Sequence, residues 1–95
     1  MTALITGGSK GIGHGIAASL LKEGLNVAIT SRRQEDADAT ARELSKLGSG
    51  KIIGIAADVR DFAAQQNAVA KTLETFGRLD VLIANAGVGH FAPIT

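Results

Sequence analysis

Residues 6–13 read TGGSKGIG, and this stretch decides the fold of the chain. It follows the apolar run Ala3-Leu4-Ile5 and leads into a segment whose apolar residues recur at helical spacing. A strand that turns through glycines into a helix directs several backbone N–H groups, and the positive end of the helix dipole, at one point where a phosphate group fits. Glycine is needed there because a side chain would block the ligand and because tight turns often require a positive φ. The stretch therefore predicts a nucleotide-binding α/β domain.

Length and composition restrict the class of protein. The 95 residues fit one domain, and 45% apolar with 20% charged residues is ordinary for a globular fold. Ten basic residues against nine acidic ones, with no basic run interleaved with aromatics, argue against a nucleic-acid partner. The chain has no cysteine, so disulfides and thiolate chemistry are excluded, and the two separate histidines, His14 and His90, do not make a metal cluster.

The sequence gives no sign of a membrane or export segment. No apolar run approaches the roughly 20 residues that cross a bilayer. The first predicted strand begins almost at Met1, which leaves no room for a signal peptide. We therefore expect a cytoplasmic protein without membrane contact.

Strands and helices alternate along the chain. Continuous apolar runs predict strands that are buried on both faces, and periodic apolar positions predict helices that end near Gly24, Gly48 and Gly77. The order βαβαβαβ predicts one parallel sheet with helices on both faces. The predicted strands are Thr2–Thr6, Leu25–Thr30, Lys51–Ala57 and Leu79–Ala84, and the predicted helices are Gly11–Glu23, Gln34–Leu47 and one from about Asp61 to Phe76.

The last predicted helix and strand carry two further expectations. The apolar residues Phe62, Val69, Leu73 and Phe76 recur at helical spacing in the third helix. Residues 81–84 are apolar throughout, which is typical of a strand in the centre of a larger sheet. As the last strand of this chain, they are expected to form an exposed sheet edge, through which the chain would associate or aggregate.

Two glycine patterns overlap at the first helix. The segment Gly13-His14-Gly15-Ile16-Ala17-Ala18 matches G-x-G-x-x-A literally, but it begins seven residues after the strand, inside the predicted helix. The register Gly7, Gly11, Gly13 places the first glycine directly after Thr6, as a strand–turn–helix connection requires. The alternative is a merely tight turn that binds no ligand.

The sequence TGGSKGIG resembles the T-G-x-x-x-G-x-G signature of the short-chain dehydrogenase/reductase family. Three further features follow in the family's order: Ser31-Arg32-Arg33 after the second strand, Asp58-Val59 after the third and Asn85-Ala86-Gly87 after the fourth. Ala84 departs from the family, which often has a second asparagine there. The resemblance spans nearly the whole chain. It implies a truncated, Rossmann-type doubly wound sheet over residues 1–95 with strand order 3-2-1-4, and the catalytic portion of the family is absent.

The end of the second strand favours NADP over NAD. An NAD site usually has an Asp or Glu about 20 residues past the glycines, bonding the ribose 2′-hydroxyl. Here residues 30–33 read TSRR, and the nearest carboxylates lie in the next helix. A guanidinium attracts a 2′-phosphate and can bond it bidentately, so Arg32 is predicted to bind it together with Arg33, and with Lys10 from the glycine loop. The alternative is that Arg32 and Arg33 are solvated surface charges.

The carboxylate of Asp58, at the end of the third strand, is expected to accept a hydrogen bond from the adenine amino group. It could also cap the next turn, and both roles could coexist. The resemblance implies that Val59 presents its N–H to the adenine ring, that Ser9 bonds the adenosine ribose or its phosphate, and that Ile12 offers its N–H to the pyrophosphate. It also implies that the Asn85 backbone meets the adenine-side ribose, while the two residues after it line the nicotinamide half. The predicted cofactor-binding set is Gly7, Ser9, Lys10, Gly11, Ile12, Gly13, Arg32, Arg33, Asp58, Val59, Asn85, Ala86 and Gly87.

No catalytic residue is identified in this chain. The resembled family uses a Ser, a Tyr and a Lys in a Y-x-x-x-K arrangement, with an Asn on an intervening helix, all after the fourth strand; this chain has no tyrosine. We expect the parent protein to be a homo-oligomer that transfers a hydride between NADPH and a small carbonyl or alcohol substrate, and this chain alone to be inactive. The alternative is a non-catalytic nucleotide-binding module. A methyltransferase-type domain is disfavoured because its ribose-binding acid after the second strand is missing.

Overall fold

The structure is a computed structural model that describes residues 1–7, 11–48, 50–58, 60–84 and 90–93, without the side chains of residues 12, 84 and 90–93. Its elements alternate along the chain, and the predicted order of strands and helices is confirmed. They are β1 Thr2–Thr6, α1 Gly11–Lys22, β2 Asn26–Ser31, α2 Gln34–Leu44, β3 Ile52–Ala56, α3 Phe62–Phe76, β4 Val81–Ala84 and β5 His90–Pro93.

The strands form one sheet in the order β3-β2-β1-β4-β5. β1 pairs in parallel with β2 on one side and with β4 on the other, with Ala3 opposite Val27 and Val81 respectively. β3 pairs in parallel with β2. The predicted α/β class and strand order 3-2-1-4 are therefore confirmed.

The expectation that β4 forms the exposed edge of the sheet is wrong. β5 pairs antiparallel with β4, from Val81 opposite Pro93 to Ala84 opposite His90. This pairing gives the backbone groups of β4 partners on both sides, which removes the cost of leaving them unpaired. Pro93, which has no N–H to donate, then lies in an edge strand, where proline is tolerated.

The core lies on both faces of the sheet. All five residues of β1 are buried, which explains why the strand is continuously apolar apart from its two threonines. One face packs against α1 and α2, and the other face packs against α3. The first layer contains Ile5, Ala17, Leu21, Val27, Ile29, Leu44 and Ile83, and the second contains Leu4, Ala28, Ile55, Ala57 and Ala68.

The ends of α3 are fixed by local chemistry. The Asp61 side chain accepts a hydrogen bond from the backbone N–H of Ala64 at 3.2 Å, which is an N-cap. Gly77 ends the helix with φ of 78° and donates its N–H to the Leu73 carbonyl at 2.8 Å. Both predicted ends of this helix are confirmed.

The helix α2 is shorter than predicted, because it ends at Leu44 rather than Leu47. The Ser45 hydroxyl donates a hydrogen bond to the Arg42 carbonyl at 2.8 Å, which competes with continuation of the helix. Leu44 is fully buried, whereas Leu47 is exposed. The apolar contact with the sheet therefore stops one turn earlier than the sequence pattern indicates.

Candidate functional site

Three of the predicted site segments meet at one edge of the sheet. Gly7 directly follows β1, Arg32 directly follows β2, and Asp58 lies two residues past β3. Because these strands are parallel, their carboxyl ends lie side by side. The order reverses between β1 and β4, and a crevice of this kind is where open α/β sheets bind ligands.

The glycine register chosen from the sequence agrees with the backbone. Gly7 has φ of 69° and Gly11 has φ of 59°, values that a residue with a side chain rarely adopts. A Cβ atom at Gly11 would have no atom within 4 Å, so backbone conformation rather than crowding requires this glycine. Gly11 is exposed at the first position of α1, and Gly13 is buried within the helix. Among the described residues other than its own neighbours, none crowds the Cβ position of Gly11 at the start of α1.

Two side-chain hydrogen bonds attach the turn after β1 to the neighbouring strands. The backbone N–H of Gly7 donates to Thr30 Oγ1 at 3.0 Å, and the Thr6 hydroxyl donates to the Ile83 carbonyl at 3.4 Å. Thr30 is fully buried near the end of β2. The sequence analysis did not identify Thr30 as a residue that supports the site. A polar residue near the end of an otherwise apolar strand is the feature that could have indicated it.

The end of β2 presents two exposed guanidinium groups. Arg32 and Arg33 are both exposed, and Arg33 precedes α2 without making a side-chain cap. Among the described residues, neither group donates a hydrogen bond or forms an ion pair. The positive charge of Arg32 nevertheless acts on Asp58, which places these two predicted site residues in one electrostatic environment.

A glutamine holds the start of α2 against the edge strand β3. The Gln34 side-chain amide donates to the Gly54 carbonyl and accepts from the Ala56 N–H, both at 3.0 Å. It thus satisfies outward-facing backbone groups of β3 as a neighbouring strand would. At Gly54, a Cβ atom would come within 3.0 Å of the Ala37 backbone, so α2 packs closely on this strand. These contacts fix the position of the turn that carries Arg33 relative to the end of β3.

The Asp58 carboxylate is held by a residue that the sequence reading did not identify. Its Oδ1 accepts from the Arg60 backbone N–H at 2.9 Å and from Arg60 Nε at 3.2 Å, while its Oδ2 accepts from Arg60 Nη2 at 3.0 Å. The Arg60 side-chain hydrogen bonds are the largest cause of a lowered Asp58 pKa, about 2, with smaller contributions from the Arg60 backbone N–H and the charges of Arg60 and Arg32. This carboxylate is a permanent hydrogen-bond acceptor at neutral pH.

The structure shows Asp58 as a turn residue, which was the alternative reading. Its backbone carbonyl accepts from the Asp61 N–H at 2.9 Å, and its side chain accepts from the N–H two residues on. Asp61, and not Asp58, caps α3. The turn role leaves part of the carboxylate available, so both roles can coexist as expected.

The remaining predicted contacts lie outside the described residues: Ser9, Lys10, Val59, Asn85, Ala86 and Gly87. For Ile12 only the backbone is described, in the first turn of α1. His14 Nε2, in the first turn of α1, lies 3.5 Å from Glu43 Oε1 on α2. Within the described ranges, no group of three or more His, Cys, Asp or Glu side chains could hold a metal ion. None of the helices found there has the length and apolar character that a membrane span needs.

A family model described as short chain dehydrogenase matches residues 1–95. The chain is 47% identical over 87 residues to oxidoreductase UcpA of Salmonella typhimurium, covering 92% of this chain and 32% of that protein. Among solved structures, L-sorbose reductase from Gluconobacter frateurii complexed with NADPH and L-sorbose superposes with a TM-score of 0.85 and 32% identity, over 94% of this chain and 34% of that one. A 3-ketoacyl-ACP reductase from Sinorhizobium meliloti gives a TM-score of 0.84 and 38% identity, over 93% and 34%. The chain thus spans about a third of the length of these proteins.

Proposed function

Because this chain belongs to the short-chain dehydrogenase family, we propose that it is the NADP(H)-binding portion of an oxidoreductase that transfers a hydride between NADPH and a carbonyl or alcohol substrate. The family binds a nicotinamide dinucleotide, and the choice of NADP is the specific part of the proposal. The observation that carries it is the end of β2, where Arg32 and Arg33 are exposed. No carboxylate occupies the position next to β2 where an NAD site would hold the ribose 2′-hydroxyl.

The backbone around the first helix suits the pyrophosphate of such a cofactor. Gly7 and Gly11 take positive φ values, and nothing within 4 Å occupies the space beside Gly11. The amino end of α1 carries the partial positive charge of the helix dipole and N–H groups without helical partners. These residues would bind and orient the dinucleotide, whose nicotinamide supplies the hydride when bound.

The charges at the edge of the sheet favour a 2′-phosphate over a free hydroxyl. Arg32 and Arg33 contribute two positive charges without hydrogen-bonded or ion-paired partners in the described part of the chain. The carboxylate on which Arg32 acts, Asp58, is already neutralised by Arg60 at 3.0 Å. An incoming phosphate would therefore meet net positive charge here, and a guanidinium can bond it with two parallel hydrogen bonds.

A second candidate function is a module that binds the dinucleotide without chemistry. This candidate needs only the predicted cofactor-binding residues, none of which is assigned a role in proton transfer. This module would bind NADPH but give no turnover with any carbonyl substrate. Turnover by a longer protein that contains this sequence, together with NADPH binding, would support the oxidoreductase instead.

The cofactor choice is tested by titrating the chain with NADPH and NADH and comparing Arg32→Asp with Lys46→Asp. Lys46 is exposed beyond the far end of α2, about 16 Å along an 11-residue helix, so it gives a matched charge reversal away from the site. We expect Arg32→Asp to weaken NADPH binding by roughly 10- to 100-fold, as for loss of a charge-assisted hydrogen bond, and NADH binding much less. Lys46→Asp should change neither. Equal losses for both cofactors in Arg32→Asp would refute the phosphate role.

A further inference from the structure

The carboxylate of Asp58 is held almost completely by one neighbour. Arg60 supplies three donors to it, the backbone N–H and Nε on Oδ1 and Nη2 on Oδ2. A carboxylate offers roughly four acceptor positions. The described residues place two donors on Oδ1 and one on Oδ2, so they leave one acceptor position open, on Oδ2.

The backbone of Asp58 is fixed as well. Its carbonyl accepts from the Asp61 N–H at 2.9 Å and from Gln65 Nε2, on α3, at 3.0 Å. The Asp58 side chain is 33% exposed, whereas the Arg60 side chain is 77% exposed. The carboxylate therefore remains partly open to solvent while the Arg60 guanidinium holds it.

We propose that Arg60 is a positioning residue for the adenine end of the dinucleotide, because it holds Asp58 so that the open acceptor position on Oδ2 receives the adenine amino group. This inference rests on the proposed dinucleotide binding. It predicts recognition of a base that donates at this position, and discrimination against a base that presents a carbonyl oxygen there. A freely rotating carboxylate would lose rotamer freedom on binding the base, whereas this one has already lost it.

The charge of Arg60 supports the same arrangement. Hydrogen bonds from the Arg60 side chain lower the pKa of Asp58 from 3.8 to about 2, so the carboxyl remains an acceptor well into the acid range. Arg60 also forms the ion pair with Asp58, at 3.0 Å.

A second pair of aspartate and arginine, two residues apart, lies at the other end of the sheet. Arg78 Nε donates to Asp80 Oδ2 at 2.8 Å and Arg78 Nη2 donates to Oδ1 at 2.6 Å, again across two residues. The carboxylate held in this way accepts the backbone N–H of Thr2 on Oδ2 at 2.8 Å. In both pairs, the carboxylate oxygen that Nε contacts also accepts a backbone N–H, from Thr2 at Asp80 and from Arg60 at Asp58. The Asp80 pair therefore shows that an aspartate held by an arginine can still accept an N–H from another strand of this protein.

The experiment compares NADPH with its analogue in which hypoxanthine replaces adenine, so that a carbonyl oxygen stands in place of the amino group. Both are titrated against the unsubstituted chain, Arg60→Gln and Arg60→Lys, with Arg78→Gln as the matched control. Arg60→Gln keeps the backbone N–H but not the guanidinium, and Arg60→Lys keeps the charge but not the two-pronged contact. Thermal melting of each variant checks that it remains folded.

The unsubstituted chain should prefer NADPH to the hypoxanthine analogue. Both Arg60 variants should lose roughly fivefold in affinity for NADPH and little for the analogue, as expected when two residues act on one contact. Arg78→Gln should leave both affinities unchanged. Equal losses for the two ligands, or no loss for either, would overturn the role of Arg60 while leaving dinucleotide binding intact. Failure of the unsubstituted chain to bind NADPH would overturn the nucleotide assignment, and this inference with it.

Discussion

The backbone N–H of Gly7 donates a hydrogen bond to the buried hydroxyl of Thr30, 3.0 Å away and 23 residues later in the sequence. This bond joins the first turn after β1 to the end of β2. It holds Gly7 next to the strand end that carries Arg32. The position of the first glycine is therefore set partly by a side chain of the neighbouring strand.

Removing the Thr30 hydroxyl should move the glycine loop. Thr30→Val keeps the shape of this fully buried residue but removes the acceptor, and loss of one internal hydrogen bond costs about 1 kcal/mol of unfolding free energy. Thr30→Ser keeps the acceptor but loses a buried methyl group, which costs a similar ~0.8 kcal/mol. The two variants should thus be similarly destabilised in chemical denaturation, yet only Thr30→Val should weaken NADPH binding severalfold in a titration. Equal affinities would show that this bond does not shape the site.

Replacing each of two glycines of α1 by alanine should change the free energy of unfolding in opposite directions. Gly11 has φ of 59°, so Gly11→Ala should destabilise the chain by about 1–2 kcal/mol, the cost of a left-handed conformation for a residue with a side chain. Gly15 lies exposed inside α1 with open space around its Cβ position, so Gly15→Ala should stabilise it by ~0.5–1 kcal/mol. Urea unfolding of both variants measures the difference. Stabilisation by Gly11→Ala would contradict the backbone conformation described for the glycine loop.

The Asp58–Arg60 pair should make stability depend on pH in the acid range. The pKa of Asp58 is lowered to about 2 from 3.8, so the unfolded chain binds a proton before the folded chain does. The contribution of Asp58 to stability is therefore complete above pH 3.8 and is lost as the pH falls toward about 2. Melting temperatures across this range should fall less steeply for Asp58→Asn and for Arg60→Gln than for the unsubstituted chain. The same slope in all three would show that the pair does not persist in solution.

Much of the fold follows from local sequence patterns. Continuous apolar runs gave the four parallel strands within one or two residues of their observed ends, because a strand that is buried on both faces has no polar alternation. The helix α3 begins at the Asp61 cap and ends at the left-handed Gly77, as predicted, because both features depend on residues within one helical turn. The positive φ of Gly7 and Gly11 likewise agrees with the register chosen from spacing alone.

The helix faces were less predictable. The spacing of apolar residues in α3 includes Phe62 and Leu73, but these are 76% and 45% exposed, whereas Thr72 is fully buried with its hydroxyl bonded to the Ala68 carbonyl at 2.7 Å. A small residue lets the helix approach the sheet closely, and a threonine can bury its hydroxyl by bonding within its own helix. Hydrophobicity at 3.6-residue spacing does not reveal which of several faces meets the sheet.

The sequence alone determined the alternation of the first four strands with the helices, the glycine turn and the segments that gather at the sheet edge, because each depends on periodicity, turn chemistry or the handedness of crossovers. Only the tertiary structure decided which side chains support those segments: Thr30 on Gly7, Gln34 on the edge of β3, and Arg60 on Asp58. The first two contacts join residues more than 20 positions apart and depend on strand register and helix placement. The third is local, but it depends on the rotamer that the turn after β3 imposes. Distances between side chains are set by packing, which no single stretch of sequence encodes.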